Sequence, residues 1–212
     1  MAFGRRYPPE RGARGNHAKK VRNLAALVMA VGIAVPAPLT GDAAEDIVLT
    51  FPQNASTTRF IDTYGAGKAD GRVHRGEDLH APKGAPVYAA SDGVVVRMGD
   101  GPRAGYYLVI QHADQWQSWY MHLNNDRPGT DSGRGGAQTA YAQGLDVGDF
   151  VKGGQLIGFV GDSGNAEGTE PHTHFELHKG KRPVNPYHHL FTAYQSALGA
   201  ELRAKIAEVG AT

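Results

Sequence analysis

Histidine and aspartate side chains occur at two places in the chain with spacings that suit metal binding. His74 and Asp78 stand four residues apart, with Gly76 between them, where glycine would ease a bend. Further along the chain, His172 and His174 are separated by one residue. In an extended strand, residues at even offsets point to the same face, so both pairs can face one cleft. Two imidazoles and one carboxylate are suitable ligands for Zn²⁺ and leave a fourth position for water, as in catalytic zinc sites.

The composition narrows the kind of metal site and the kind of partner. The 212 residues include ten histidines but no cysteine, so disulfides, thiolate nucleophiles and cysteine-ligated zinc are excluded. Any metal must therefore be held by nitrogen and oxygen. The formal net charge is only +1, which does not favour nucleic-acid binding, and we expect no nucleic-acid partner.

Short strands separated by turns are predicted to position these residues. The chain has 29 glycines and only 20% charged residues, a balance typical of many turns between short strands. Segments rich in β-branched or aromatic residues, with turn residues between them, are 93–97, 106–110, 118–121, 150–151, 156–160 and 173–178. This pattern predicts a mainly β fold built on a compact antiparallel sheet.

Two segments depart from the strand pattern. Residues 127–144 are polar, rich in glycine and without periodicity, which predicts a long loop. Towards the end of the chain, apolar side chains recur every four residues, which predicts a short amphipathic helix packed on the domain. The residues of this stripe are Leu190, Tyr194, Leu198, Leu202 and Ile206.

The N-terminal region has the composition of a secretory signal. Several arginines and lysines precede an apolar run over residues 24–35, which is too short to span a bilayer, and small residues follow it. The alternative is a disordered basic tail followed by a short core helix. We favour the signal and predict export, with no stable membrane span after cleavage. The predicted domains are 1–44 for the signal peptide and basic extension, 45–190 for the metal-binding domain and 191–212 for a helical tail.

A series of longer motifs surrounds the histidine pairs. They read FIDTYGA at 60–66, HRGEDLHAPKGAPVYAA at 74–90, DGVV at 92–95, YMHL at 120–123, VKGGQLIG at 151–158, GDSGN at 161–165 and HTHFEL at 172–177. In this order they resemble the lysostaphin-type, or LytM-like, zinc endopeptidases, which cut peptide bonds in bacterial peptidoglycan. The resemblance covers roughly residues 51–190.

The resemblance implies a site and an activity for this chain. His74, Asp78 and His174 match the positions that bind one zinc ion per chain in the family. His172 and His122 match the two accessory catalytic histidines, and the sequence leaves open which accepts the water proton and which contacts the oxyanion. The implied function is that of a secreted zinc metalloendopeptidase. It would act as a monomer on peptidoglycan peptides in the cell wall or periplasm.

Two other functions are compatible with part of this pattern. The first is a catalytically silent wall-binding or hydrolase-activating module of the same fold, although such a protein is expected to lack one or more ligands. The second is a non-haem iron oxygenase, because two histidines and one carboxylate also describe its metal triad. The first ligand pair of that triad usually has one intervening residue, whereas three residues separate His74 from Asp78.

Two acidic residues lie next to the proposed ligands. Glu77 has an odd offset from Asp78 and from His74, so we expect its side chain to point outward and to be solvated. Glu176 lies two residues beyond His174 and therefore on the same face of a strand. A role for Glu176 behind the metal is open at this point.

The chain departs from the family pattern at three places. His80 stands where a small or apolar residue is more usual, and Thr173 stands between the paired histidines where leucine is common. The loop over residues 127–144 is longer than in minimal members. These departures affect the expected substrate preference rather than the proposed ligands.

Overall fold

The computed structural model describes residues 46–68 and 71–210. The predicted signal peptide and basic extension therefore lie outside the described residues. The described chain forms nine strands and two α-helices. In chain order they are β1 (Glu77–His80), β2 (Pro86–Tyr88), β3 (Gly93–Gly101), β4 (Gly105–Gln111), β5 (Trp116–Leu123), α1 (Ala137–Ala140), β6 (Phe150–Val151), β7 (Leu156–Phe159), β8 (His172–Lys179), β9 (Arg182–Val184) and α2 (Tyr187–Gly210).

Seven of the strands form one sheet. Their order is β1-β8-β5-β4-β3-β6, and β9 pairs with β8 as well. Strands β2 and β7 form a separate two-stranded sheet. Neighbouring strands in both sheets are antiparallel. The predicted mainly β, antiparallel architecture is therefore confirmed.

One face of the large sheet packs on the core, and the other carries the histidines. Along β8, Thr173, Phe175 and Leu177 are fully buried. The residues that alternate with them in the sequence lie on the opposite face, because side chains alternate along a strand. The core under β8 continues in Leu79 of β1 and Tyr120 of β5, which are also fully buried. The strands therefore position the site by turning their apolar face inward.

The predicted loop over residues 127–144 contains more regular structure than its composition indicates. It includes the four-residue helix α1 and a bridge between Tyr141 and Gly158 of β7. The Tyr141 hydroxyl donates to the carbonyl oxygen of Gly99 at 2.7 Å. A single helical turn has no periodicity that a sequence pattern can display, which is why the segment was expected to be a loop throughout.

A lysine ties the start of this loop to the rest of the domain. The ammonium of Lys83 lies 2.7 Å from Asp126, 2.6 Å from Asp131 and 2.8 Å from Asp162, measured to carboxylate oxygens. The Asp126 and Asp162 side chains are each only 2% exposed. Two buried carboxylates therefore depend on one cation.

The C-terminal helix α2 begins at Tyr187 and runs for 24 residues. Leu190 is buried, whereas Leu198, Leu202 and Ile206 are 38%, 58% and 64% exposed. The expectation that the whole stripe packs on the domain is therefore wrong for the distal half of the helix. A spacing of four residues overshoots the helical period of 3.6, so the stripe rotates by about 40° at each step. None of the helices in the described part of the chain combines the length and apolar character needed to cross a membrane.

We expect Lys83→Met to lower the free energy of unfolding by about 3–5 kcal/mol, because it leaves buried carboxylates without a partner. Burial alone would raise the pKa of Asp126, but hydrogen bonds from Lys83 and from the Gly133 backbone lower it below its usual value. The wild-type stabilisation is thus present above the usual aspartate pKa of about 3.9 and is lost as the pH falls through the lower folded-state pKa. Urea unfolding at pH 7 and at pH 3 measures both effects.

Lys152→Met provides the control, because Lys152 is exposed and takes no part in this cluster. Its unfolding free energy should stay within about 0.5 kcal/mol of the wild type. An equally small change for Lys83→Met at pH 7 would show that the cluster does not hold the loop.

Candidate metal centre

The pairing of β1 with β8 places the proposed site residues on one face of the sheet. Asp78 stands opposite His174, and His80 stands opposite His172. Because side chains alternate along a strand, these four share one face, while Leu79 points into the core. His172 and His174 therefore lie on the same face of the sheet, as their even spacing predicts.

His74 reaches the same place from a segment that precedes the sheet. Strand β1 begins at Glu77, so His74 and Asp78 do not lie on one continuous strand as their even offset suggested. Gly76 permits this approach, because a Cβ at that position would lie 2.2 Å from the carbonyl oxygen of Phe175. Glycine is therefore required for close contact with β8, which is a stricter demand than easing a bend.

Three side-chain atoms converge at this point. His174 Nδ1 lies 2.8 Å from Asp78 Oδ1 and 2.9 Å from His74 Nε2, and the remaining distance, from His74 Nε2 to Asp78 Oδ1, is 3.1 Å. The two histidines are buried, whereas the Asp78 side chain is 30% exposed, so the centre is open on one side. Ligand atoms of a tetrahedral zinc site with bonds of about 2.0–2.1 Å lie roughly 3.3 Å apart. The observed distances are somewhat shorter than this edge, and the three atoms are close enough to contact one ion.

Hydrogen bonds on the far side of each ring determine which nitrogens face the centre. His74 Nδ1 lies 3.2 Å from the carbonyl oxygen of Thr63, which can only accept, so Nδ1 carries the proton and Nε2 presents a lone pair. His174 Nε2 lies 3.1 Å from a carboxylate oxygen of Glu176, so Nδ1 presents a lone pair. With Asp78 Oδ1, three acceptors then face one another. A cation between them removes the repulsion, and this nitrogen and oxygen donor set suits Zn²⁺.

A proton is the alternative to a metal ion at this centre. Burial alone would lower the pKa of His174, but Asp78 and Glu176 raise it above its usual value. Burial alone would raise the pKa of Asp78, but hydrogen bonds with His174 and His74 lower it below its usual range. The site therefore favours positive charge, and a metal has to compete with protons for it.

One other group of acids in the described residues has a spacing compatible with a metal, namely Asp126, Asp131 and Glu167. Asp126 and Asp131 are already paired with Lys83. This group thus has its own cation and is not the metal centre.

Two further imidazoles stand beside the converging atoms. His122 Nδ1 donates to the Ser163 carbonyl oxygen and His172 Nδ1 donates to the Glu170 carbonyl oxygen, both at 2.8 Å. Each ring therefore presents an unprotonated Nε2, and the ring centroids are 5.1 Å apart. His172 Nε2 lies 3.9 Å from Asp78 Oδ1. Burial lowers the pKa of His122 to about 4 and also lowers the pKa of His172, so both rings are neutral at pH 7.

A β-bulge turns His122 towards the site. In the pairing of β4 with β5, Tyr106 faces Leu123 but Leu108 faces Tyr120, so β5 contains one extra residue. His122 adopts a φ of 60°, which is uncommon and strained for a residue with a side chain. The bulge brings its ring centroid to 6.0 Å from that of His174.

The model of peptidase family M23 matches residues 72–186, more than half of the chain. The chain belongs to peptidase family M23. The M23 domain is 38% identical over 112 residues to the peptidoglycan DD-endopeptidase ShyA of Vibrio cholerae, which is 53% of this chain but only 22% of that protein.

Solved structures resemble the M23 domain in fold. A zinc containing peptidase from Vibrio cholerae is 30% identical with a TM-score of 0.52, over 66% of this chain and 39% of that chain. The catalytic domain of lysostaphin from Staphylococcus simulans is 28% identical with a TM-score of 0.51, over 64% of this chain and 94% of that chain. The family resemblance inferred from the motifs is therefore confirmed.

Glu77 supports the M23 site from behind, and the expectation that its side chain is solvated is wrong. Its side chain is fully buried rather than solvated. It accepts hydrogen bonds from the Thr63 backbone and hydroxyl, both at 3.0 Å, and from the Tyr64 backbone at 3.2 Å. Burial raises its pKa in spite of these bonds. The odd offset does place Glu77 on the face opposite Asp78, but that face is the core rather than solvent. Glu77 thus fixes Thr63, which holds His74.

Glu176 supports His174, the other histidine of the centre. Its position agrees with the role behind the metal that the sequence left open. One carboxylate oxygen accepts from His174 Nε2, and the other lies 2.6 Å from His178 Nε2. These contacts outweigh burial and lower the pKa of Glu176 to about 2. His178 in turn stacks on Trp119 with 5.3 Å between ring centroids. The sequence motifs do not indicate this chain of contacts, because Trp119 meets His178 only through the pairing of β5 with β8.

The remaining histidines near the sheet have other partners. His80 packs against His172 with 5.2 Å between ring centroids, and its Nδ1 lies 3.5 Å from Glu170. His112 is hydrogen-bonded to the Asp92 carbonyl oxygen and to Ser118.

Removal of Glu176 should loosen the metal centre. We expect Glu176→Ala to weaken zinc binding about 10- to 100-fold, because residues that orient metal ligands have effects of this size. Glu176→Gln keeps an oxygen that can accept from His174 Nε2, so its loss of affinity should be smaller. Competition with a chromophoric chelator measures the zinc affinity of both variants.

Glu208→Ala serves as the matched control, because Glu208 is exposed on α2. It should bind zinc as the wild type does. If Glu176→Ala also kept the wild-type affinity, Glu176 would have no part in orienting His174.

Proposed function

We propose that the chain is a secreted zinc metalloendopeptidase that hydrolyses peptide bonds in bacterial peptidoglycan. The observation that carries the proposal is the set of three facing acceptors with two neutral imidazoles beside it. Membership in the M23 family supports peptide hydrolysis, and the name of the Vibrio cholerae relative supports peptidoglycan as the substrate. The basic and apolar N-terminal composition supports export.

His74, Asp78 and His174 would hold the zinc ion through Nε2, Oδ1 and Nδ1. Zinc bound there would lower the pKa of a coordinated water towards about 7 and polarise the scissile carbonyl. The burial of both histidine ligands keeps their lone pairs directed at the centre. The exposed side of Asp78 leaves room for a substrate to approach.

His122 and His172 would carry out the proton transfers. A neutral imidazole with a free Nε2 can accept a proton from water and return it to the leaving amine. A ring that has taken up a proton can also donate to a developing oxyanion. The Nδ1 hydrogen bonds to Ser163 and Glu170 hold both rings in the tautomer that this chemistry requires.

The alternative of a catalytically silent module has no support in the site. Such a module is expected to lack a ligand, whereas this chain brings together all three ligand residues. Both accessory histidines also stand beside them.

Replacement of either accessory histidine should slow the reaction while the metal stays bound. We expect His122→Ala and His172→Ala to lower kcat by about 10²- to 10⁴-fold, the usual contribution of general acid–base catalysis. Hydrolysis of purified peptidoglycan and metal analysis of the same samples measure the two properties separately. His188→Ala is the control, because His188 is exposed at the start of α2.

Replacement of a ligand should remove both the metal and the activity. We expect His174→Ala to fold, to contain no zinc and to give no clearing in a peptidoglycan zymogram. Full clearing by this variant would contradict the peptidase proposal. Digestion of defined muropeptides with and without chelator, followed by mass analysis of the products, identifies the bond that is cut.

A further inference from the structure

A basic groove borders the candidate metal centre. Its volume is about 530 Å³, and its walls include Lys68, Arg72, Arg75, Arg103, His122 and His174. Glu176 is the one acid among the described lining residues, and its two oxygens are bound to His174 and His178. Basic side chains therefore outnumber acidic ones among the described lining residues, although the whole chain has a formal net charge of only +1.

Arg103 is anchored to the same backbone that carries His122. It lies in the turn between β3 and β4, and its carbonyl oxygen accepts from the Asn165 backbone at 3.1 Å. The next carbonyl oxygen, of Ala104, accepts from the His122 backbone at 2.8 Å. The packing is so close that a Cβ on Gly164 would lie 2.6 Å from the Arg103 carbonyl oxygen. The base of the Arg103 side chain is thus fixed relative to an accessory histidine.

Arg75 is anchored by its two neighbours. His74 is buried at the centre, and Gly76 packs on the backbone of Phe175, so the exposed Arg75 is directed out of the sheet and into the groove. Neither Arg75 nor Arg103 forms an ion pair with an acid among the described residues. A guanidinium group binds a carboxylate through two parallel hydrogen bonds, which makes it the cation best suited to recognise one.

The charge is uneven around the centre. A second cavity of about 270 Å³ borders the site through Asp78 rather than through His174. Its walls include Phe60 and Ile61, and its one arginine, Arg59, is already paired with Glu170. A peptide that lies across the centre thus meets Arg75 and Arg103 in one cavity. In the other cavity it meets a more apolar wall whose arginine is paired with Glu170.

We propose that Arg75 and Arg103 bind a carboxylate that the peptide substrate carries beside its scissile bond, so that the groove selects acidic peptides and sets their direction across the centre. This inference rests on the proposed peptidase function. The attraction acts between partly exposed charges, so it weakens as the salt concentration rises.

The test compares two muropeptide dimers that differ only in whether their carboxylates are free or amidated. Binding is measured by calorimetry with the zinc-loaded His122→Ala chain, in which hydrolysis should be slow. We expect the free acid to bind roughly tenfold more tightly than the amide, a difference of about 1.4 kcal/mol. Adding Arg75→Gln and Arg103→Gln should abolish this preference, whereas adding Arg203→Gln, on the exposed surface of α2, should preserve it.

Equal affinity for the two dimers, no binding of either dimer, or a preference that survives both arginine substitutions would overturn the inference. Thermal melting of each variant checks that it is folded. Hydrolysis by the wild-type chain is followed separately. If the wild type cleaved neither dimer, the proposed function would fail while the binding comparison still decided the role of the arginines.

Discussion

The structure depends on the mutual approach of three electron pairs. His74 Nε2, His174 Nδ1 and Asp78 Oδ1 lie 2.8–3.1 Å apart, and the hydrogen bonds on the outer side of both rings leave all three atoms as acceptors. Three acceptors at this distance repel one another unless a cation lies between them. The fold therefore holds together a group that is complete only with positive charge, and it must be rigid enough to resist the repulsion.

That rigidity comes from buried contacts on both sides of the centre. Glu77 is fully buried and fixes Thr63, which holds His74. Glu176 holds His174 and is itself held by His178. Replacing Glu77 or Glu176 is thus expected to weaken metal binding, although every ligand remains. The accessory histidines are likewise held by hydrogen bonds from Nδ1 to backbone carbonyl oxygens, which leave Nε2 available for proton transfer.

The even or odd spacing of residues along a strand predicted part of this site from the sequence. His172, His174 and Asp78 share a face because β1 and β8 are regular strands paired directly with each other. His74 lies outside β1, and its approach to the centre depends on the absence of a side chain at Gly76. Spacing along a strand does not predict this close contact. The odd spacing also placed Glu77 on the correct face of the strand. It did not show that this face is buried, because burial depends on the tertiary packing.

Two other features were beyond sequence reasoning for related reasons. The bulge at His122 changes the register of β5 by one residue, and a strand pattern assumes constant register. The basic groove combines residues from a turn beside His74 and from the β3–β4 turn, which are far apart in the chain. In the distal part of α2 the sequence predicted packing that the structure does not have. An apolar repeat of four residues cannot keep one face against the domain over several turns.

Zinc titration followed by ¹⁵N spectra of the histidine side chains tests directly whether these three atoms bind the metal. One equivalent of zinc should shift Nε2 of His74 and Nδ1 of His174, while His74 Nδ1 and His174 Nε2 keep their protons. Zinc that left His74 Nε2 and His174 Nδ1 unshifted, or that bound through the opposite nitrogen of either ring, would show that these atoms are not the metal ligands.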